Sequence, residues 1–332
     1  MPDKYKNIKK IIVSRTDKLG DVILTLPLIS HLKKLFPDSI IDFLIKKQNA
    51  GIVYGYPGIN SVIIYDDFKS FPEKLRFFKK ENYDLAISVF PRFEIALLFA
   101  MGGIKFRIGS GYRGYSFLFN EKVKEHRKYA DKHEADFNLN LLTPITPDID
   151  YDKKFYFSYT NDEFENLDSK LKELEFTLNE KYIILHPGSK KSARDWSIER
   201  FIELSKLLLD KFSDFKIVLT GIKEESGLTE RIKNESQNNK SIIDLAGKIS
   251  LRELMILIDR SELFISNSTG PIHIAGALNK KIIGFYPNEI PMNDVRWKPL
   301  SVNAIILKPG SESKDMDSIK PEDVLESIRK IL

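Results

Sequence analysis

The sequence predicts an α/β protein of two domains, each a mostly parallel sheet with helices on both faces. Three observations support this. Short apolar runs alternate with stretches of helical spacing from Ile11 almost to the last residue, the rhythm of consecutive β-α-β units. The rhythm pauses at Thr143-Pro144-Ile145-Thr146-Pro147, where two prolines mark a linker and put the boundary near 145–160. The 332 residues are many for one domain and comfortable for two. We set the domains at 1–155 and 156–318, followed by a terminal helix at 319–332. Two such domains would leave a cleft between them.

Each element has a local reason. Ile11-Ile12-Val13 suits a strand buried on both faces. Val22 to Ile29 leads into a helix ending near Phe36-Pro37. Strands are expected at 40–45, 61–65 and 84–90, helices at 71–80 and 92–101, and a further short strand at 105–108. After the linker, strands are expected at 182–185, 215–219, 242–245, 263–266 and 281–285. The helices between them fall at 198–211, 224–234, 251–259 and 271–278. Pro321 opens an amphipathic final helix, a position where its missing amide costs nothing.

Composition narrows the chemistry. Hydrophobic residues make up 42% and charged residues 30%, an ordinary globular balance. With no cysteine there is no thiolate catalysis, disulfide or Cys-ligated zinc. The polar start, MPDKYKNIKK, reads as no signal peptide, and the apolar run 95–104 is too short to span a bilayer, so a cytoplasmic location is expected. Residues 1–150 carry 24 Lys+Arg against 18 Asp+Glu, while 151–332 carry 28 against 29. The basic first half suits an acidic partner or an anionic membrane surface.

Several motif matches fail on context. Gly109-Ser110-Gly111-Tyr112-Arg113-Gly114 fits GxGxxG, but a dinucleotide fingerprint follows the first strand of its unit and opens a helix. This one comes late and precedes an extended stretch, so it reads as a basic loop. His133-Glu134 lacks the second histidine of HExxH, since position 137 is Phe. Asp148-Ile149-Asp150 and Asp315-Met316-Asp317 match DxD but lie in polar or proline-flanked stretches, and no metal is expected.

Three stretches carry chemistry. Gly20-Asp21 lies at the turn after the first strand, the edge where open α/β sheets bind ligands. Its carboxylate is either a helix cap or a reactive group. His186 to Trp196, HPGSKKSARDW, follows a strand: Gly188 permits close backbone approach, and Ser189, Lys190 and Arg194 suit an anion such as a diphosphate. The alternative is a solvated loop. Phe264 to His273, FISNSTGPIH, ends a strand and opens a helix, so free amides with Ser268 and Thr269 form an anion site. Alternatively, Ser or Thr merely caps, and His273 packs internally.

Together, RTDKLGDVILTLPLI, HPGSKKSARDW and NSTGPIHIAGAL resemble glycosyltransferase family 9, the ADP-heptose–lipopolysaccharide heptosyltransferases. The resemblance covers nearly the whole chain, including RIGSGYRG and KHEADFNLNLL. It implies a GT-B fold: two facing Rossmann-like domains, with the acceptor on the first, a nucleotide-sugar donor on the second, and the final helix returning to the first. It implies metal-independent transfer with inversion, no cofactor, and no nucleic-acid partner. By position, Asp21 would be the general base. Gly188, Ser189, Lys190, Arg194, Ser268, Thr269, Gly270 and His273 would hold the donor diphosphate. Glu224 or Glu225 would face the ribose, with Glu224 the first choice, and Ile249 the base. Arg15, Lys18 and Arg113 are candidates for the acceptor side. The acceptor would be a phosphorylated glycolipid, with peripheral contact at the inner membrane. Some family members have an acid where Ser268 stands and Lys where Arg194 stands. The chief rivals, a nucleotide-dependent oxidoreductase and a two-lobed binding protein, lack the glycine fingerprint and the signal sequence they would need.

Overall fold

In a computed structural model, residues 1–189, 194–236, 239–311 and 313–332 are described. The chain divides into two compact units, Met1–Ser158 and Tyr159–Leu332. The first contains β1 (Lys10–Arg15), β2 (Ile40–Ile45), β3 (Ser61–Ile64), β4 (Leu85–Ser88), β5 (Phe106–Ser110) and β6 (Glu121–Val123). They form one parallel sheet in the order β3-β2-β1-β4-β5-β6, with Val13 opposite Phe43 on one side and Ile87 on the other. The second unit contains β7 (Tyr182–His186), β8 (Lys216–Leu219), β9 (Ile242–Asp244), β10 (Leu263–Asn267), β11 (Ile282–Phe285) and β12 (Ala304–Leu307). Its sheet is also parallel, in the order β12-β11-β10-β7-β8-β9.

The order reverses beside the first strand of each unit. β1 lies between β2 and β4, and β7 lies between β8 and β10. Helices leave for opposite faces on either side of this point and open a crevice at the strands' carboxyl ends. The central strands are buried on both faces, which explains their unbroken apolar runs: all of β7 and β10 is buried. The first unit's core includes Ile12, Leu44, Phe78, Phe99 and Leu98. The second unit's core gathers Ile183, Leu185, Ile265 and Phe285 from the sheet with Phe201, Leu204 and Leu208 from the Ile198–Lys211 helix.

Some expectations change. The first helix is two, Leu19–Ile23 and Leu26–Leu35. Pro27 has no amide to bond the preceding turn, so the ladder restarts. The Asn161–Lys172 helix is not among the expected elements. It is mostly polar but begins with a capping box in which Thr160 and Glu163 satisfy each other's backbone. The final helix, Pro321–Ile331, was expected on the first domain. Instead its Val324 and Ile328 are buried in the second unit's core, because their spacing fits the Ile198–Lys211 helix.

The rejected motifs have structural jobs. Gly109 faces the Phe119 ring, which would lie 2.6 Å from a Cβ there. Asp315 caps the short turn at Met316–Ser318 through the Asp317 amide at 3.0 Å, and Asp317 accepts from the Ser197 amide at 3.0 Å. Asp150 pairs with Lys34 at 3.4 Å.

Candidate active site

In the first unit the expected residues Arg15 and Asp21 meet. Arg15 ends β1 and is 1% exposed. Its Nε donates to Asp17 at 2.8 Å and its Nη2 to Asp21. Asp21 is the third residue of the Leu19–Ile23 helix; the cap position is Lys18, so Asp21 is not the cap. Burial opposes the Arg15 charge, but Asp21, Asp17 and Glu134 outweigh it and hold the pKa above the ordinary arginine value. The Asp21 carboxylate is partly open to solvent, 14% exposed, at the carboxyl end of β1. A carboxylate fixed by a buried guanidinium and still reachable from outside can accept a proton.

The other two first-unit candidates are exposed. Lys18 is exposed on the turn before that helix. Arg113 is exposed on the loop after β5, its amide donating to Ser116 Oγ at 2.9 Å.

In the second unit, the switch point brings two of the expected stretches side by side. β7 and β10 are neighbours, with His186 opposite Ser266. The chain therefore emerges at Pro187-Gly188-Ser189 next to Asn267-Ser268-Thr269. Asn267, fully buried, joins the two: its Nδ2 donates to Pro187 O at 2.8 Å and its Oδ1 accepts from the Trp196 amide at 2.8 Å. Trp196 closes the loop beneath, stacked on Phe285 at 4.3 Å and donating from its indole to Ile319 O at 2.9 Å. Thr269 is the cap residue of the Gly270–Ala277 helix, whose first-turn amides point out at this edge; Pro271 sits in that turn. Ser268 and Thr269 are nearly buried. His273 lies one turn on, its ring edge-on to Trp297 at 6.2 Å.

The remaining donor candidates line the same strand ends. Ser189 donates to Asp195 at 2.8 Å; burial raises the Asp195 pKa, the Ser189 bond opposes the shift and the Glu225 charge adds to it. Arg194 pairs with Glu289 at 2.6 Å, on the segment after β11. Ile249, half-buried, follows β9 and precedes Ser250, the cap of the Leu251–Arg260 helix. Lys190 lies outside the described residues. The two acids after β8 separate: Glu224 is exposed, whereas the Glu225 carboxylate lies where a Gly188 side chain would be and accepts from the Ile222 amide at 3.1 Å. Only glycine at 188 leaves that space.

The sequence profile of glycosyltransferase family 9 (heptosyltransferase) matches residues 74–326, most of the chain. The chain belongs to glycosyltransferase family 9. It is 25% identical over 337 residues to lipopolysaccharide heptosyltransferase 3 of Escherichia coli K12, covering 94% of this chain and 95% of that protein. The solved E. coli ADP-heptose lps heptosyltransferase II superposes with a TM-score of 0.82 at 21% identity, covering 98% of each chain. An E. coli heptosyltransferase solved with ADP gives 0.74 at 18%, covering 97% of this chain and 100% of that one. The fold is GT-B and the protein is a glycosyltransferase. Among the described residues, no helix is long and apolar enough to cross a membrane.

Sequence reasoning missed several residues of this family 9 enzyme's strand-end clusters. Glu134 and Asn138, which hold Arg15, look from sequence like an ordinary first-turn acid and a polar helix residue. Asn267 reads as one more polar loop residue until its two bonds across the switch point are seen. Asp195 hides in a cationic loop. The signal available for Glu134 was its spacing from Asn138, four residues along one helix face.

Proposed function

We propose that the enzyme transfers heptose from ADP-heptose to a hydroxyl of the lipopolysaccharide inner core or a related glycolipid, with inversion and without metal. One observation carries this most: Asp21 stands at the switch point of the first sheet, held by a buried arginine and open to solvent. The family profile begins beyond this residue, so its role rests on that position. The names of the matched proteins, which include ADP-heptose transfer and an ADP complex, support the donor.

Asp21 takes the proton as the acceptor oxygen bonds the anomeric carbon, and the bond to the diphosphate breaks on the opposite face. Negative charge grows on the departing ADP. The amides of the Gly270–Ala277 helix, the Ser268 and Thr269 hydroxyls, His273, Ser189, Lys190 and Arg194 would receive it. For Arg194 this means exchanging Glu289 for phosphate. Gly188 keeps the backbone low beneath the donor. Glu225, rather than Glu224, would meet the ribose, since it turns in toward the strand ends. Ile249 would lie against the base. Lys18 and Arg113 would favour a phosphorylated acceptor, reached at the cytoplasmic face of the inner membrane, while Arg15, buried and bonded to Asp21, would serve the acceptor only by holding that carboxylate.

The test is turnover of a panel of nucleotide sugars with heptose-deficient core glycolipid, the product's anomeric configuration being read by NMR. ADP-heptose should be used best, giving an inverted linkage at a rate unaffected by EDTA. Preference for another nucleotide sugar, or a retained configuration, would overturn the assignment. Asp21→Asn should lower kcat by about 100-fold or more while ADP binding holds. A near-normal rate would leave Asp21 a structural partner of Arg15.

A further inference from the structure

Behind Asp21 lies a polar network that the proposed chemistry does not use directly. Glu134 is 0% exposed, in the first turn of the Glu134–Leu139 helix. Its Oε1 accepts from Arg15 Nη2 at 3.3 Å and Nη1 at 3.4 Å, and from Arg127 Nη1. One turn on, Asn138 Oδ1 accepts from Arg15 Nη1 at 3.2 Å. Asn138 Nδ2 donates to Leu24 O at 2.9 Å and Thr25 Oγ1 at 3.3 Å, and Thr25 Oγ1 donates to Asp21 O at 2.8 Å. Residues 134 and 138 thus present one helix face to the strand end, and the bonds close a ring from Arg15 through Asn138 and Thr25 to Asp21 and back.

Burying so many charges is expensive. A hydrophobic replacement would often be as stable, so such a network is weak evidence for a stability role. What it does provide is geometry. Arginine offers a rigid planar fork, and each bonded edge removes a way for it to turn. Nε is committed to Asp17; the far edge is held by Glu134 and Asn138; only one direction remains for the bond to Asp21.

We propose that Glu134 is a positioning residue of the transfer reaction: its buried carboxylate locks the Arg15 guanidinium, which in turn aims the Asp21 carboxylate. This rests on Asp21 being the base. Glu134 touches no reacting atom. It also shares the Arg15 charge with Asp21. Losing it gives Asp21 a larger share of that charge and makes it a weaker base. Arg15 pairs with Asp21 and with Asp17 from the loop after β1, and Glu134 from the 134–139 helix pairs with Arg15 and with Arg127; Lys18 precedes Asp21 on the exposed turn.

The test is Glu134→Gln, which keeps the shape and an acceptor oxygen but loses the charge. With ADP-heptose and heptose-deficient core glycolipid, kcat should fall about 10- to 100-fold. Both KM values and the ADP dissociation constant should hold, and the acid limb of the kcat–pH profile should move to lower pH. Glu134→Gln combined with Arg15→Lys should be no slower than Arg15→Lys alone, because both act through one guanidinium. An unchanged kcat and acid limb, or multiplicative losses in the double variant, would overturn the proposal. A crystal structure of Glu134→Gln supplies a readout independent of donor identity and of thermal stability. Arg15 and Asp21 should leave their wild-type positions; if they stay, Glu134 does not position them. An Asp21→Asn enzyme at full rate would sink the base assignment and this proposal together. A dead Asp21→Asn beside a full-rate Glu134→Gln would sink this proposal alone.

Discussion

At the scale of single residues, burial decides what a polar group can do. His186 ends β7, is 4% exposed, and shares a 2.9 Å bond with Thr220 Oγ1. Burial lowers its pKa to about 4, from 6.5. The sign follows from proton uptake. Below pH 6.5 the unfolded chain protonates this ring while the native protein does not until about pH 4. Stability is therefore fully present above 6.5 and declines as pH falls through that window, by about 3 kcal/mol at most. His186→Gln, which stays neutral, should flatten the fall. Urea melts at pH 7 and pH 4.5 would read it, and an equal acid loss in both proteins would contradict the burial argument. Asn267→Ala should cost about 2 to 3 kcal/mol, since it leaves the Pro187 carbonyl and Trp196 amide without their buried partner. ADP binding should weaken with it, because the 187–196 loop loses its tie to β10. Residues proposed for their chemical type at a strand end, such as Asp21 and Ser268, stand out in the sequence. Residues whose importance is a contact made across a long stretch of chain, such as Glu134 and Asn267, do not. A buried acid in a first helical turn reads much like a solvated one, and the four-residue spacing from Asn138 is the local hint Glu134 carries.

At the scale of elements, the polar Asn161–Lys172 helix and the short strands β6 and β12 are missing from the sequence reading. The last is missing although its four residues are all apolar, because a run that short carries no period. The Ile198–Lys211 helix was bounded correctly because its apolar stripe and its Ser197 cap agree. The Asn161–Lys172 helix was missed because only Leu167 and Leu171 are buried in it. It is held instead at its start, where Glu163 both closes the capping box and accepts from Arg252 Nε at 2.7 Å and Nη2 at 2.9 Å. That bidentate bond is the first cause holding the Glu163 pKa down, to about 2. A lowered carboxylate pKa adds stability above pH 4.5, and the gain is lost as pH falls toward 2. Glu163 is 27% exposed, so solvent screening limits the gain to about 1 kcal/mol. Arg252→Met should lose about that much at pH 7 and nothing near pH 2. A deficit that persists at pH 2 would mean that Arg252 packing, over the Tyr159 ring at 5.2 Å, matters instead.

At the scale of the whole molecule, two sheets of the same strand order carry different charge. Residues 1–150 have six more basic than acidic side chains, 24 against 18, while the remainder is nearly balanced at 28 against 29. In the first unit the acids near β6 are engaged: Glu121 pairs with Lys4, and Glu125 with Lys132. Lys122, Lys124, Lys128 and Arg113 are exposed, and among the described residues none forms an ion pair. Apolar rings accompany them. Phe93 is 54% exposed and Phe117 is 73% exposed, with Tyr115, edge-on to Phe93 at 5.6 Å, on the chain between Arg113 and Phe117. Exposed phenylalanine gains little in water, whereas rings beside cations suit the headgroup layer of an anionic bilayer. Each basic side chain near such a surface contributes about 1 kcal/mol, screened beyond roughly 10 Å at 0.1 M salt. The full chain should therefore sediment with vesicles rich in phosphatidylglycerol and not with phosphatidylcholine alone. Binding should fall at least tenfold between 50 and 300 mM salt, on the order expected when several such contacts are screened. Lys122→Glu with Lys124→Glu should weaken it at low salt, and Phe117→Ser should weaken it even where salt has removed the electrostatic part. Binding indifferent to salt and to these substitutions would mean that this basic, ring-bearing surface is not a membrane contact.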